Sequence, residues 1–278
     1  MASLLRLRLR FCRRAFPIAF SASLIALAIS AQSASSAHGL PVLVELFTSE
    51  GCSSCPPADA LLARLDSTQF VQGAQAIVLS EHVTYWDHLG WRDPYSLEAM
   101  TQRQEHYVRA FGESTAYTPE IVVDGAVGFV GSDASSLKRA IANAIHTAKS
   151  ELFIEQAQWV GNKVQFIVRS AAAPGEHLTA FLAEDSVESP VNRGENAGHI
   201  LRHVAVVRAL QQINGNFLDD RPVEIAVPHG LATGKKATLH LVVIRADSNS
   251  GRVSGVAQLK LNAPGSGAES AAALPAPH

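Results

Sequence analysis

Charged side chains are scarce in this 278-residue sequence. Asp, Glu, Lys and Arg make up 17% of the residues, whereas 47% are hydrophobic. A disordered chain has the opposite balance, so the composition excludes that class and predicts a globular protein. The length allows one or two domains, each with a full hydrophobic core.

Lysine, aspartate and glutamate do not occur before His38. The first 37 residues contain five arginines, and the remaining chain holds 18 basic and 25 acidic side chains, a net charge of −7. Because the phosphates of nucleic acids repel an acidic protein, this composition argues against nucleic-acid binding.

The apolar run of residues 16–30 is too short for a membrane-spanning helix, which needs about 20 residues. It follows a cluster of arginines and precedes small residues, with Ser35 and Ala37 at positions −3 and −1 of a cleavage site. Residues 1–37 are therefore predicted to be a signal peptide cleaved near Ala37, which leaves no stable membrane span in the mature chain. The pair Arg13-Arg14 keeps the twin-arginine route open beside general secretion. We expect a periplasmic or secreted protein.

Cysteine is also rare, and its placement is informative. Cys12 lies in the predicted signal peptide, so the mature chain keeps only Cys52 and Cys55, spaced as CxxC. In an oxidising compartment this spacing indicates a redox dithiol or part of a metal site. A structural zinc site needs four ligands and there is no second CxxC, while a disulfide across so short a loop stabilises little. We therefore expect a redox-active Cys52–Cys55 disulfide and no other cofactor.

The hydrophobic pattern divides the mature chain into two halves. Residues 38–150 predict the order β-α-β-α-β-β-α, with the CxxC between a strand at 41–47 and an amphipathic helix. Residues 151–262 change to period two, which predicts seven short strands in an antiparallel sandwich-like domain. Residues 263–278 are rich in Ala, Pro, Gly and Ser and predict a disordered tail.

Four segments carry a resemblance to a known family: VELFTSEGCSSCPPADALL, HVTYWDHLGWRDPYS, YTPEIVVDG and RGENAGHILRHVAVVRAL. They resemble an exported bacterial family of thioredoxin-like proteins, catalogued as domain of unknown function 1223, over about residues 40–262. The resemblance implies an α/β thioredoxin-like domain followed by an all-β antiparallel sandwich-like domain. The family has no established substrate. This sequence departs from ordinary thioredoxins at Gly51, where they have Trp, and at Ser53-Ser54, where they have Gly-Pro.

Cys52 is the predicted nucleophile. We expect it, exposed, at the N-cap of the following helix, where unpaired N–H groups and the helix macrodipole favour a thiolate. Cys55, sheltered one turn further on, would attack the mixed disulfide and release the product. The predicted function is thiol–disulfide exchange with a protein or a small thiol or disulfide. The direction of the reaction and the redox partner stay open.

The resemblance implies two further catalytic residues. Pro119 matches a proline that is cis in thioredoxin-like folds and shapes the substrate groove beside the disulfide. Glu45 matches a buried carboxylate that takes the proton of the resolving cysteine, and it is the single ionisable side chain in residues 40–47. Buried there without a partner, it would be suited to proton transfer near neutral pH. The alternatives are an edge position facing water or a structural hydrogen bond.

The aromatic and histidine-rich stretch at residues 80–91 follows the second predicted strand. Trp86 and His82, together with Thr118, are candidates for a substrate groove, although buried tryptophans and backbone-bonded histidines are the simpler explanation. A second hypothesis is a metal carrier, with copper as its cargo. Its candidate ligands are Cys52, Cys55, His82 and His88. A third hypothesis is a binding module without catalysis.

One polar loop, residues 193–198, lies between strands of the second half. It is expected either to fold over the CxxC, to clamp a substrate carboxylate, or to be a structural loop in which Glu195 and Asn196 bind backbone groups. No Ser-His-Asp order, HExxH pair or phosphate-binding glycine motif occurs in the sequence.

Overall fold

The computed structural model describes residues 39–170, 174–213, 221–229, 231 and 238–261. The predicted signal peptide (1–37) and tail (263–278) lie outside these residues. The described chain forms one compact unit. The domain boundary expected near residue 150 falls between two elements of that unit, and the division into two domains stays a prediction.

Eleven strands and three helices occur in the described ranges. In chain order they are β1 (Leu40–Thr48), α1 (Pro56–Thr68), β2 (Ala74–His82), α2 (Glu98–Phe111), β3 (Glu120–Val123), β4 (Val127–Val130), α3 (Ala134–Ala144), β5 (Leu152–Val160), β6 (Lys163–Ser170), β7 (Glu176–Pro190), β8 (Ile200–Ile213), β9 (Val223–Ala226), β10 (Leu239–Asp247) and β11 (Val253–Leu261). Eight strands form one mixed sheet in the order β11-β10-β7-β8-β2-β1-β3-β4, and β5-β6-β9 form a second, smaller sheet.

The expected fold class is wrong. The elements up to α3 follow the predicted order, and seven strands follow them, but the two groups do not build an α/β thioredoxin-like domain and a separate antiparallel sandwich. Instead, the structure is mostly β. The strands β7, β8, β10 and β11 continue the sheet of β1 to β4, so that both halves of the chain contribute to one large sheet. The two groups of strands are connected by a parallel bridge between Ser80 of β2 and Val206 of β8. Such a pairing between distant segments leaves no local pattern in the sequence.

The central strand β1 pairs with β2 on one side and β3 on the other, and it is buried on both faces because other elements pack on each face of the sheet. Its side chains alternate between the faces. Phe47 packs edge-to-face on Tyr107 of α2, with ring centres 6.0 Å apart. Leu46 points the other way, towards α1: a side chain on Gly131 would meet Leu46, Ala58 and Pro119 within about 3.1 Å.

The helix ends follow local chemistry. Pro56 and Pro57 open α1 at positions where a missing N–H costs least. Asp133 caps α3, and its carboxylate accepts N–H groups of Ser135 and Ser136. The helix α2 begins at Glu98, and before it hydrogen bonds to the side chain of Asp93 and its carbonyl hold residues 95 and 96 in a turn.

The smaller sheet covers part of the large one. Its inward residues, including Val164 and Phe166 of β6, pack with Leu178 and Leu182 of β7 in an apolar core. The main core lies around α1 and the centre of the large sheet, and it includes Phe181, Val207 and Ile244 from the second half of the chain. No described helix is long and apolar enough to cross a membrane.

Candidate functional site

The CxxC turn connects β1 to α1 and contains a Cys52–Cys55 disulfide with the Cα atoms 5.4 Å apart. Cys55, not Cys52, is the N-cap residue of α1, so the expected position of Cys52 is wrong by three residues. The expected exposure of Cys52 is also wrong, since both cysteines are 0% exposed. Cys52 Sγ lies 3.3 Å from the hydroxyl oxygen of Ser54. In this oxidised form the turn is closed to solvent at both sulfurs.

The loop of residues 193–198 holds this turn. Asn196 is buried, and its side-chain amide donates to the carbonyls of Glu50 and Cys52 at 2.8 and 3.0 Å. The Glu195 carboxylate accepts the Ser53 N–H at 3.0 Å, and hydrogen bonding to the Ser53 side chain, together with this N–H, lowers the pKa of Glu195. The loop therefore folds over the CxxC turn through contacts between groups more than 140 residues apart.

The candidate groove residues lie beside the same turn. The Thr118–Pro119 peptide is cis, as expected. The indole N–H of Trp86 donates to the Thr118 hydroxyl at 2.7 Å. A side chain at Gly51 would approach Trp86 Cβ to 3.1 Å, so Trp86 packs directly on the residue before Cys52. Gly131 lies close to both Pro119 and Ala58 of α1, since a side chain on this glycine would meet each of them at 3.1 Å.

A buried charged cluster lies around the start of α1. His203 of β8 is 1% exposed, and its ring nitrogens are 3.4 Å from Asp59 and 3.6 Å from Glu50. Burial disfavours the imidazolium, but the carboxylates of Asp59 and Glu50 outweigh it and raise the pKa of His203 to about 9. His203 is thus a cation at neutral pH, flanked by two acids. Trp91 adds an indole N–H bond to Glu50 at 2.7 Å.

His82 belongs to a second pair next to this cluster. Its Nδ1 is 2.7 Å from Asp93 Oδ2, and both side chains are fully buried. Burial opposes ionisation of Asp93, yet its contacts with His82 and with the N–H groups of Glu50 and Tyr95 lower the pKa of Asp93. The His82 ring packs edge-to-face on His203, with centres 4.7 Å apart.

The ligands expected for a metal carrier are not brought together. His88 is exposed, whereas His82 is buried and bonded to Asp93. Within the described ranges, no group of three His, Cys, Asp or Glu residues has the geometry to hold a metal ion.

Glu45 has strong partners, so the premise that it is a buried carboxylate without a partner is wrong. Its Oε1 accepts the Nε–H of Arg103 at 2.6 Å, and its Oε2 accepts the hydroxyl of Tyr107 at 2.7 Å. Because residues alternate along β1, Glu45 faces α2, whereas Cys55 begins α1 on the other face of the sheet. The structure does not bring Glu45 to the cysteines, and Arg103 and Tyr107 instead hold it in place.

Comparison with known proteins identifies the family. Residues 43–245 match the model of a family described as a protein of unknown function, DUF1223. The chain belongs to this family. This result confirms the resemblance as to the family, while its expected thioredoxin-like fold is wrong and the export signal lies outside the described residues.

Two solved structures are similar to this DUF1223 member. One is a structural-genomics crystal structure of a protein from Agrobacterium tumefaciens, with TM-score 0.59 and 24% identity over 81% of this chain and 96% of that chain. This likeness shows the fold alone. The other is a DUF3823 family protein from Bacteroides ovatus, with TM-score 0.22 and 18% identity over 38% of this chain and 54% of that chain. No curated protein matches the sequence.

Sequence reasoning missed four polar residues of the DUF1223 site: Glu50, Asp59, Asp93 and His203. One signal was available for His203. It lies two residues from Leu201 and two from Ala205, and all three are buried, so a polar residue occupies the inward phase of β8. Asp59 falls on the buried face of an amphipathic helix in the same way. A polar side chain at a position that the hydrophobic pattern places in the core needs a buried hydrogen-bonding or charged partner.

Proposed function

We propose that this protein is a thiol–disulfide oxidoreductase that exchanges its Cys52–Cys55 disulfide with a protein or small-thiol substrate. The observation that carries the proposal is that buried ionic groups flank the disulfide in the chain. Glu50 is two residues before Cys52, and Asp59 is four residues after Cys55; both are buried beside His203. Burying such charges costs free energy, and titratable clusters of this kind mark reactive sites.

The short loop between the cysteines supports the same proposal. A disulfide that spans three positions restricts the unfolded chain much less than one that closes a long loop. The disulfide therefore contributes little to the stability of the fold. The neighbouring polar groups, by contrast, suit sulfur chemistry, since the Ser54 hydroxyl lies beside Cys52 Sγ.

The exchange proceeds in two displacements. A substrate thiolate attacks Cys52 Sγ, the Cys52–Cys55 bond breaks, and its electron pair leaves on Cys55, which takes up a proton. A second substrate thiolate attacks the substrate sulfur of this mixed disulfide and releases Cys52 as a thiolate. The substrate loses two electrons and the dithiol gains two. The same steps in reverse reduce a substrate disulfide.

Substrate access requires the loop of residues 193–198 to move. The buried Asn196 binds the carbonyls on both sides of Gly51, and both sulfurs are buried beneath the closed turn. We place the reaction outside the cytoplasm, because the predicted signal peptide directs the chain to an oxidising compartment. N-terminal sequencing of the native protein tests this: a mature terminus near His38 supports export, and an intact Met1 contradicts it.

The test of the function uses the reduced protein and an aromatic disulfide that releases a coloured thiolate. Wild type should release one equivalent when Cys52 attacks and a second when Cys55 resolves the mixed disulfide. Cys52→Ser should abolish the first release, whereas Cys55→Ser should stop after one equivalent and keep the probe attached. Ser53→Ala, an exposed neighbour in the same turn, is the matched control and should behave as wild type. Equal reaction of both cysteines with an alkylating agent at neutral pH would contradict the assignment.

A further inference from the structure

Asp59 is the carboxylate placed one helical turn after Cys55. Its backbone N–H donates to the Cys55 carbonyl at 3.1 Å, so the two residues are i and i+4 partners of one turn. Such partners project from the same face of a helix, with Cβ atoms about 5–6 Å apart. The Asp59 carboxylate is buried and accepts the Thr48 hydroxyl at 3.1 Å.

His203 lies beside the same carboxylate oxygen and carries the compensating charge. Its Nδ1 is 3.4 Å from Asp59, and its pKa is raised to about 9. A buried charge is stabilised by a partner of opposite sign, and His203 stands at ion-pair distance from this carboxylate. The second half of the chain thus supplies the cation to a carboxylate on the helix that begins at Cys55.

We propose that Asp59 exchanges a proton with Cys55, and that His203 is the positioning residue that holds the Asp59 side chain in place. This inference rests on the proposed thiol–disulfide exchange. During resolution, the Cys55 proton moves to Asp59, the resulting thiolate attacks the Cys52 sulfur, and the substrate leaves as a thiolate. In the opposite direction, the bond to Cys55 breaks and protonated Asp59 returns the proton to the Cys55 sulfur.

The other groups around His203 are few and identifiable. Glu50, from the turn before Cys52, faces Nε2 at 3.6 Å, and His82 and Tyr95 contact the ring from β2 and the following loop. Beyond them, Asp93 is bonded to His82, and Arg208 lies over the Tyr95 ring at 5.0 Å. Two acids therefore touch the imidazolium directly, and its loss leaves both of them buried without that cation.

The coloured-thiolate assay separates this inference from the function itself. The first release reports attack by Cys52, and the second reports deprotonation and attack by Cys55. Asp59→Asn should slow the second release on the order of 100-fold near pH 7 and leave the first unchanged. His203→Gln should slow the same step near neutral pH and recover as the pH rises, because alkaline solvent then takes the proton. His177→Gln, which alters a partly buried histidine of β7, is the control and should change neither step.

The pH dependence of the second release in the wild type is a second test of the inference, and it needs no variant. If Asp59 accepts the Cys55 proton during the attack, the second release does not need a thiolate formed beforehand and should depend only weakly on pH between 6 and 8. Without such a base, this rate rises about tenfold per pH unit, in step with the thiolate fraction. That rise, or a second release unchanged in Asp59→Asn, overturns the inference while the exchange function stands. If the wild type gives no first release, the exchange function fails and this inference fails with it.

Discussion

Glu45 and Glu81 are both fully buried, and Arg103 is the cation between them. Arg103 is bonded to Glu45 at 2.5 to 2.6 Å and lies 3.6 Å from Glu81. Burial, reinforced by the neighbouring Glu45, raises the pKa of Glu81 well above its usual range. The role that the structure gives Glu45 is therefore that of an ion-pair partner beneath α2, on the face of β1 away from α1.

Removing the cation from this pair should be costly. Arg103→Ala leaves the Glu45 carboxylate buried without its cation, and we expect the free energy of unfolding to fall by about 3–5 kcal/mol. Arg109→Ala is the matched control on the same helix: its side chain is 67% exposed and 3.9 Å from Glu105, so the change should stay below about 1 kcal/mol. Urea unfolding at neutral pH measures both. Similar losses in the two variants would show that the buried pair contributes no more than an exposed one.

His203 should make stability depend on pH. Its pKa is raised to about 9 in the folded protein, against 6.5 when unfolded. The stabilisation is therefore fully present below pH 6.5 and is lost as the pH rises through 9, a contribution of about 3 kcal/mol. The measurement is the difference in unfolding free energy between wild type and His203→Gln from pH 6 to 10. A difference that stays constant over this range would contradict the assigned charge.

At the scale of single elements, the local sequence pattern predicts strands and turns. It does not predict contacts between side chains that are far apart in the chain. The strand before Cys52, the two prolines that open α1 and the hairpin turn at Gly161–Asn162 follow from short-range preferences. In contrast, the Glu45 carboxylate pairs with an arginine 58 residues later in the chain. The carbonyl of Cys52 accepts a hydrogen bond from Asn196, which lies 144 residues later. Periodicity shows which face a residue occupies and does not show what lies opposite.

The loop of residues 193–198 is the element whose behaviour is most open to test. Asn196→Ala removes two hydrogen bonds that hold the carbonyls of Glu50 and Cys52. We expect a loss of about 1–3 kcal/mol in stability and faster reduction of the disulfide by a bulky phosphine, because the closed turn opens more often. Arg193→Ala changes an exposed residue of the same loop and should alter neither property. An unchanged reduction rate in Asn196→Ala would show that the loop does not limit access.

For the molecule as a whole, the second half completes the core of the first. Phe181, Val207 and Ile244 pack in the same core as Val44 and Leu62. β8 also borders β2 and carries His203 to Asp59. The site thus depends on both halves, although the cysteines and the helix that follows them come from one.

This dependence predicts the behaviour of an isolated first half. A chain ending at residue 150 would expose the face of the core that β7, β8 and β10 cover, and it would leave the edge of β2 unpaired. We expect such a fragment to lack a cooperative thermal transition and to be cleaved rapidly by protease, whereas residues 38–262 unfold cooperatively. Circular dichroism and limited proteolysis of the two chains measure this. A cooperatively folded fragment with a protected Cys52–Cys55 disulfide would instead support a division into two domains, with His203 dispensable for the architecture of the site.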